Sequence, residues 1–389
     1  MQHTRIAFVS LSLLLPSLTF AAESLHVSGK KQNFVYIGTY SGAKSQGIYV
    51  SRFDSDKGDL SLPELAAEMK NPSFLALSPG GKFLYAVGEM ESFAGKATGS
   101  VAAFRIRDSS GKLDLLNEQP SEGGGPCHLA LDSLGKCVLA ANYGSGSICA
   151  LPVNLDGSLG QPRSAIQHHG SSVDPGRQSG PHAHFIAPDL GNRFVLACDL
   201  GLDKVLVYRF APLQASLTPN DPPSVSITPG AGPRHLAFHP NGKFVYVINE
   251  LNSTLTVCSY NPAKGVLNVL QTVSTLPEAY KGQSSCSEVQ VHRSGKFLYG
   301  ANRGHDSLAI FVIDQKSGRL TLVGYQSVLG KTPRHFALDP TGQWLLAENQ
   351  DSDKIVVFRV DSSTGKLAET GKSIQVGSPV CAVFAPISF

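Results

Sequence analysis

Apolar residues alternate with polar ones along most of the chain, in short runs separated by turn-forming sequences. Residues 232–257 show the pattern once in full: an alternating run from Pro233, the turn Pro240-Asn-Gly-Lys, a second apolar run ending at Asn249, and a third run through Val257. Alternation over four to eight residues, bounded by turn residues, predicts antiparallel strands. The segment therefore predicts three consecutive strands, which make a repeat unit and not a domain.

The same unit recurs along the chain. Each copy opens on a proline, or on Cys286 in its place, at intervals of about 46 to 55 residues. The opening residues are Pro72, Pro126, Pro181, Pro233, Cys286, Pro333 and Pro379. A period of several tens of residues is typical of solenoids and propellers.

The seventh copy is divided between the two ends of the chain. Residues 379–384 supply only a first strand, while residues 33–39 and 47–53 look like second and third strands without a first. Joining the two ends completes seven units and leaves no open edge, as radial closure requires. The sequence predicts an all-β fold, a seven-bladed β-propeller over residues 33–387, with four antiparallel strands per blade and the C-terminal strand paired with the N-terminal strands.

The N-terminus has a different composition. Residues 1–22 contain one basic residue, Arg5, an apolar core over residues 6–20, and two alanines at the end. This pattern predicts a secretory signal peptide. The mature protein is therefore expected in the periplasm or outside the cell.

Charge and cysteine content exclude several classes of partner and site. The formal net charge of +3 is too small to indicate a nucleic acid or a membrane surface. Seven cysteines without a Cys-x-x-Cys pair favour buried free thiols over a disulfide framework or a zinc site.

A closed ring has little edge to share, so the chain is expected to be a monomer. The longest predicted loops are residues 89–99, 167–180 and 213–232, and none carries a nucleotide-binding fingerprint.

Antiparallel geometry indicates which residues meet at the mouth of the channel. The start of each first strand and the end of each second strand lie on the same face. The first column is Phe74, His128, a position between His182 and His184, His235, Glu288, His335 and Cys381. The second column is Tyr40, Glu89, Tyr143, Asp199, Glu250, Arg303 and Gln350. Arg234 and Arg334 flank the first column, so histidines, arginines and carboxylates converge on one predicted pocket.

Each of these residues also has a structural explanation. A histidine at a strand end can bond a carbonyl of the next blade, and Arg234 and Arg303 can hold blades together through Glu250 or Glu288. The two histidines on the turn side, His239 and His292, are expected to be structural. The joint arrangement on one face is what favours a functional site.

Two segments resemble the lactonase family of seven-bladed propellers, which contains 6-phosphogluconolactonases and carboxy-muconate cyclases. They are Gly232-Pro-Arg-His-x-x-Phe-His-Pro-Asn with its following Asn-Glu-Leu-x-Ser-Thr, and Asn302-Arg-Gly-His-Asp-Ser. The resemblance covers about residues 33–387. The catalytic residues it implies are His182 or His184, Arg234, Glu250 and Arg303, all of which the two columns place at the mouth. His128, His235, Glu288 and His335 are the expected substrate-binding residues.

The leading hypothesis is hydrolysis of a small anionic sugar lactone without a metal or cofactor, as the resemblance to 6-phosphogluconolactonases implies. Glu250 or His184 would be the base, Arg234 and Arg303 the anion clamp and oxyanion donors, and His182 the proton donor. The alternatives are a non-catalytic binding or scaffold propeller of the periplasm or cell surface, and a muconate-type lactonising cyclase. A metal-dependent hydrolase is a third possibility, in which the histidines of the first column would be ligands.

Overall fold

The computed structural model describes residues 32–387, and these form seven four-stranded antiparallel sheets arranged as a β-propeller. The predicted fold class is confirmed. The predicted signal peptide, residues 1–22, lies outside the described residues. Within residues 32–387 the helical content is two short 3₁₀ turns, Pro212–Gln214 and Gln350–Ser352, and no helix there has the length and hydropathy needed to cross a membrane.

Each blade runs from the channel outward. Blade 1 contains Pro379–Pro386, Gln32–Thr39, Gly47–Asp54 and the short outer pieces Asp59–Leu60 and Glu64–Glu68. Blade 2 contains Leu75–Leu77, Phe83–Gly88, Ser100–Ile106 and Leu113–Pro120, and blade 3 contains Pro126–Leu131, Cys137–Asn142, Ser147–Pro152 and Ser164–Gln167. Blade 4 contains Ala183–Pro188, Phe194–Asp199, Lys204–Ala211 and Ser216–Ser226. The strands of blade 5 are Pro233–Phe238, Phe244–Asn249, Thr254–Asn261 and Val266–Ser274; of blade 6, Ser285–Val291, Phe297–Arg303, Ser307–Ile313 and Leu320–Ser327; of blade 7, Pro333–Leu338, Trp344–Asn349, Lys354–Val360 and Leu367–Gln375.

The ring closes as predicted. The C-terminal strand Pro379–Pro386 pairs antiparallel with Gln32–Thr39 along nearly its whole length. Apolar side chains of neighbouring blades pack face to face, and at the seam Trp344 of blade 7 meets Phe53 of blade 1 edge to face, with ring centroids 6.4 Å apart. All seven cysteines are buried free thiols, again as predicted.

One predicted loop is wrong. Residues 213–232 contain the strand Ser216–Ser226, which is the outer strand of blade 4 and pairs with Lys204–Ala211. Its prolines, among them Pro219 and Pro222, suggested irregular chain. An outer strand, however, forms hydrogen bonds to a neighbouring strand on one side only, so a proline whose nitrogen faces solvent is tolerated there. The pairing also shifts register between Leu206 and Tyr208, which accommodates the prolines.

Buried tyrosines connect neighbouring blades. Tyr246 of blade 5 donates its hydroxyl to the carbonyl of Gly318 in blade 6, at 3.1 Å. Gly318 has φ of +70° and a Cβ atom there would lie 2.4 Å from the Phe244 ring, so the turn accepts only glycine. The same contact recurs from Tyr36, Tyr85 and Tyr299 to Gly111, Gly157 and Gly365.

We expect Tyr246→Phe to lower the free energy of unfolding by about 1 to 3 kcal/mol, because the buried Gly318 carbonyl loses its partner. Tyr325→Phe is the matched control, since the Tyr325 hydroxyl has no hydrogen-bond partner among residues 32–387. Denaturant unfolding of both variants measures the difference. Equal stabilities would show that the tyrosine bond contributes nothing to blade packing.

Candidate functional site

Six of the innermost strands shift register by one residue near the channel mouth. In five of them, all but the strand of blade 6, the extra residue of this β-bulge is Cys127, His184, Arg234, Arg334 or Val380. In a bulge, two residues face one on the partner strand, and the extra side chain is turned out of the regular alternation. All five line a single cavity, so the bulge is the local feature that builds the site.

The cavity and its opening to solvent together measure about 250 Å³. The rest of its wall is formed by Tyr40, Ser73, Phe74, Glu89 and His235. It lies at the face where first strands begin and second strands end, as the two columns predict. Residues from blades on opposite sides of the channel therefore contact the same space.

The residues that follow the bulges form the floor of the cavity. Phe74, His128 and Phe185 are in ring contact, with neighbouring centroids 4.2 Å apart. His235 lies against all three at 5.1 to 5.8 Å, and His335 lies 5.7 Å from Phe74. Side chains from several blades thus meet across the channel axis.

The register of blade 4 differs from the expected first column. The column was expected to pass between His182 and His184. Phe185 occupies this place instead: it pairs opposite Cys198 directly after the bulge, as His128 and His235 pair directly after the bulges of their own blades. His184 is the bulge residue itself. Phe185 lies four residues after Pro181, whereas His128 and His235 lie two residues after Pro126 and Pro233, so the distance from the opening proline does not predict this register.

The two candidate histidines have different surroundings. His184 is buried in the cavity wall with Nδ1 3.6 Å from the Cys127 Sγ. Burial, with the charge of Arg234 added, holds the pKa of His184 well below its ordinary value, so the imidazole is neutral at physiological pH. His182 is outside the cavity wall, stacked on Tyr143 at 4.6 Å with Nδ1 2.9 Å from the Tyr143 carbonyl oxygen.

Glu250 is surrounded by three arginines. Its Oε2 accepts a hydrogen bond from Arg234 at 3.0 Å and forms an ion pair with Arg303 at 2.9 Å, and its Oε1 accepts a hydrogen bond from Arg177 at 2.8 Å. Burial alone raises the pKa of Glu250, but the three arginines outweigh it and hold this pKa well below its usual range. The carboxylate is therefore ionised, and these ion pairs favour a role in holding the arginines over one in accepting a proton.

Arg234 is the arginine that reaches the cavity floor. Its Nη1 donates to the Ser287 carbonyl at 2.7 Å and to Nε2 of His235 at 3.3 Å. Among residues 32–387 no acceptor is bonded to its Nη2. Burial and the nearby Arg303 lower the pKa of Arg234 to about 10, which leaves it charged at neutral pH. One side of its guanidinium is thus held by protein and the other is free to bind a ligand.

A chain of buried acids and histidines supports the floor. His235 donates from Nδ1 to Glu288 at 2.8 Å, since its Nε2 accepts from Arg234. His335 lies between two carboxylates, 3.8 Å from Glu288 and 2.9 Å from Glu348. Burial alone lowers the pKa of His335, but the two carboxylates raise it above its ordinary value, while burial raises the pKa of both acids.

The four expected substrate-binding residues come together, but only one lines the cavity. That residue is His235. His128, Glu288 and His335 are at most 7% exposed and lie in or below the floor. Their contribution to substrate binding stays a prediction.

The other wall of the cavity contains Tyr40, Glu89 and Arg334, which the sequence placed at the mouth without a catalytic or substrate-binding role. Glu89 accepts from the Tyr40 hydroxyl at 2.9 and 3.1 Å and from the Ser73 hydroxyl. The Tyr40 hydroxyl in turn accepts from Arg334 at 2.8 Å. The second column and the repeated Pro-Arg-His motif already place Tyr40, Glu89 and Arg334 at the mouth, but only the fold shows the hydrogen bonds between them.

Arg177 was also missed, because it comes from a loop outside the repeat. Besides Glu250 it contacts the Tyr143 hydroxyl at 3.2 Å, and its side chain is 43% exposed. The loop is anchored by the buried His168, which bonds Asp199 at 2.6 Å and the Tyr208 hydroxyl at 3.0 Å. The loop is therefore fixed at its start by His168 and holds the positively charged Arg177 beside Glu250.

The two turn-side histidines are structural, as expected. His239 donates to the Gly295 carbonyl at 2.9 Å and His292 to the Gly342 carbonyl at 2.8 Å, each across a blade boundary. In residues 32–387, no three His, Cys, Asp or Glu side chains are grouped so that they could hold a metal ion.

Comparisons with known proteins agree on one family. Residues 34–384 match the family model described as "Lactonase, 7-bladed beta-propeller". The chain is 40% identical to the 6-phosphogluconolactonase of Bacillus subtilis, over 79% of this chain and 85% of that protein. It is 36% identical to the 6-phosphogluconolactonase of Formosa agariphila, over 79% and 87%. The solved structure of a periplasmic gluconolactonase of Pseudomonas aeruginosa superposes with a TM-score of 0.86 at 35% identity, covering 92% of this chain and all of that one.

Proposed function

Because the chain belongs to the lactonase family of seven-bladed β-propellers, we propose that it hydrolyses a small anionic sugar lactone at the channel mouth, without a metal. The observation that carries this proposal is the group of three arginines on one carboxylate. Arg234 lines the cavity, while Arg177, Glu250 and Arg303 line a second, more open pocket that meets it at the Arg234–Glu250 ion pair. Three positive charges against one negative charge leave this group cationic, which suits an anionic ligand. Relatives named 6-phosphogluconolactonase and gluconolactonase support the same reaction class.

The arginines have separate tasks in this reaction. Arg303 and Arg177 are partly exposed, with 14% and 43% of their side chains accessible, and bind the phosphate or carboxylate of the substrate. Arg234 lines the cavity, and its Nη2, which has no acceptor among residues 32–387, donates to the carbonyl oxygen, where negative charge develops in the transition state. Glu250 keeps the three guanidinium groups in place. Guanidinium charge stabilises the oxyanion, so the proposal requires no metal ion.

The leaving alkoxide needs a proton when the ring opens. His184 lines the cavity, and its neutral imidazole can give the proton of one ring nitrogen to the alkoxide while the other nitrogen takes a proton from water. His182 lies outside the cavity wall, and its part as the proton donor stays a prediction. The reverse reaction, lactone closure by a muconate-type cyclase, would use the same groups in the opposite order. The resemblance to a periplasmic gluconolactonase supports action on lactones outside the cytoplasm.

The test compares kcat/KM for 6-phosphogluconolactone and for neutral gluconolactone, measured by proton release and corrected for spontaneous opening. We expect a higher kcat/KM for the charged lactone. Arg303→Gln should lower kcat/KM for the charged lactone more than kcat/KM for the neutral one, and so reduce the preference. Prior dialysis against EDTA should leave both rates unchanged. An equal preference in both proteins would contradict the anion clamp, and loss of activity with the chelator would contradict metal independence.

A further inference from the structure

We propose that Glu89 is the general base that activates the attacking water, an inference that rests on the lactone hydrolysis proposed above. Glu89 lies in the cavity wall at the end of the strand Phe83–Gly88, in blade 2. Arg234 and His184 line the same cavity from blades 5 and 4. A lactone bound between these groups would have its carbonyl oxygen near Arg234 and a water on the Glu89 side.

The other carboxylate at the mouth is poorly suited to this task. Both oxygens of Glu250 accept hydrogen bonds from arginines at 2.8 to 3.0 Å, so its lone pairs are engaged by cations. Protonating it would leave buried arginine charge uncompensated, which is costly. Glu250 is therefore an anion that organises the site and not a proton acceptor.

The histidines are weaker candidates than Glu89. His235 uses both ring nitrogens, one towards Glu288 and one towards Arg234. His128 accepts at Nδ1 from the Ile186 amide, at 3.3 Å, and lies in the floor. His184 is buried in the cavity wall, and protonating its imidazole would place a second buried cation beside Arg234.

Glu89 has a different environment from Glu250. Its partners are the neutral hydroxyls of Tyr40 and Ser73. In the described part of the chain, no lysine, arginine or histidine nitrogen forms an ion pair with it, and its side chain is only half-buried. A carboxylate has about four lone-pair sites, so one that accepts from two hydroxyls has capacity left to bind a water in the cavity.

The position of Glu89 is fixed on both sides. Its backbone amide donates to the Asn71 carbonyl at 3.0 Å, and the Asn71 amide group donates to the Glu89 carbonyl at 3.1 Å. Tyr40 is held by Arg334, which donates to its hydroxyl and lies 5.1 Å from its ring centre. Burial raises the pKa of Tyr40, so the hydroxyl keeps its proton and donates to Glu89. Arg334 and Tyr40 are therefore positioning residues for the base.

The step balances without any further reactant. Glu89 takes a proton from water as the water oxygen bonds to the lactone carbonyl carbon, and the carbonyl oxygen becomes an oxyanion bonded to Arg234. The intermediate then collapses, the bond between the carbonyl carbon and the ring oxygen breaks, and the ring oxygen takes a proton that the His184 imidazole passes on from a second water; the hydroxide left by that water is neutralised by the proton that Glu89 releases. The product is the open hydroxy acid, and Glu89 returns its proton to solvent.

The experiment measures kcat and KM of Glu89→Gln on 6-phosphogluconolactone and gluconolactone across the pH range. We expect kcat to fall by about 10²- to 10⁴-fold with KM nearly unchanged, and the acid limb of the rate profile to disappear. Glu91→Gln is the matched control, since Glu91 is exposed two residues further on and is outside the cavity wall; it should retain wild-type rates. Glu89→Asp keeps the charge and should recover part of the activity.

The outcomes separate this inference from the proposed function. Wild-type protein that opens lactones, together with Glu89→Gln at rates within about threefold of it, overturns the role of Glu89 and leaves the hydrolysis standing. Wild-type protein without activity on either lactone overturns both. If Glu89→Gln melts far below the wild type, Glu89→Asp decides the matter, because a purely structural carboxylate would give a folded protein whose pH profile is unchanged.

Discussion

A chain that ends at Ser378 is expected to lose its folded structure at room temperature. The deletion of residues 379–389 removes the innermost strand of blade 1, which pairs with Gln32–Thr39 and carries the buried Cys381 and Ala385. The neighbouring strand would become an unpaired edge at the centre of the ring. Each lost ladder bond costs about 0.5 to 1.5 kcal/mol, and buried apolar side chains add about 1.5 to 3 kcal/mol each. The sum is comparable with the whole stability of a folded protein, about 5 to 15 kcal/mol.

Thermal unfolding followed by circular dichroism measures this effect. The control is a chain that begins at residue 23, which keeps every described strand and should melt like the parent. Termini tolerate deletion only where their backbone is not hydrogen-bonded. A C-terminal deletion that melts within a degree or two of the parent would show that the ring does not depend on this closure.

Arg234→Ala is expected to lower kcat/KM for lactone opening at least about 100-fold. Loss of one oxyanion donor costs about 10²- to 10³-fold in rate. Arg234 also holds Glu250 at 3.0 Å and the Ser287 carbonyl at 2.7 Å, so its removal loosens the other arginines. The substitution breaks a buried ion pair, which costs about 3 to 5 kcal/mol of stability, and a melting curve must accompany the kinetics.

Two further variants isolate the catalytic part of that effect. Arg234→Lys retains the charge but not the two-pronged geometry, so it should be more stable than the alanine variant and still strongly impaired. Arg209→Ala removes an exposed arginine of blade 4 and should keep full activity. A folded Arg234→Ala variant with wild-type kcat/KM would show that this arginine does not act on the substrate.

Most of the fold follows from periodicity, because a propeller repeats one pattern of strands and turns. The opening prolines, the Gly-Lys and Asn-Gly turns, and the divided seventh copy are local signals, and together they predict blade number and closure. The strand Ser216–Ser226 was missed because proline content indicates loops unless the edge position of the strand is known.

The site is less predictable, since it depends on the β-bulges. One extra residue in an innermost strand turns His184 or Arg334 into the cavity, and a bulge has no fixed sequence pattern. Arg177 reaches Glu250 across 73 residues of sequence, through a loop that has no repeat to compare with. Glu89 stands in the second column, but its difference from Glu250 lies in its hydrogen-bond partners, which only the folded structure shows.

The most direct test of the central claim is the initial rate of lactone opening by the purified wild-type protein, followed by proton release at several enzyme concentrations. The account predicts a rate on 6-phosphogluconolactone that exceeds spontaneous opening, rises in proportion to enzyme and saturates with substrate. A rate equal to the spontaneous one on both this lactone and gluconolactone, from a protein shown to be folded, would contradict it.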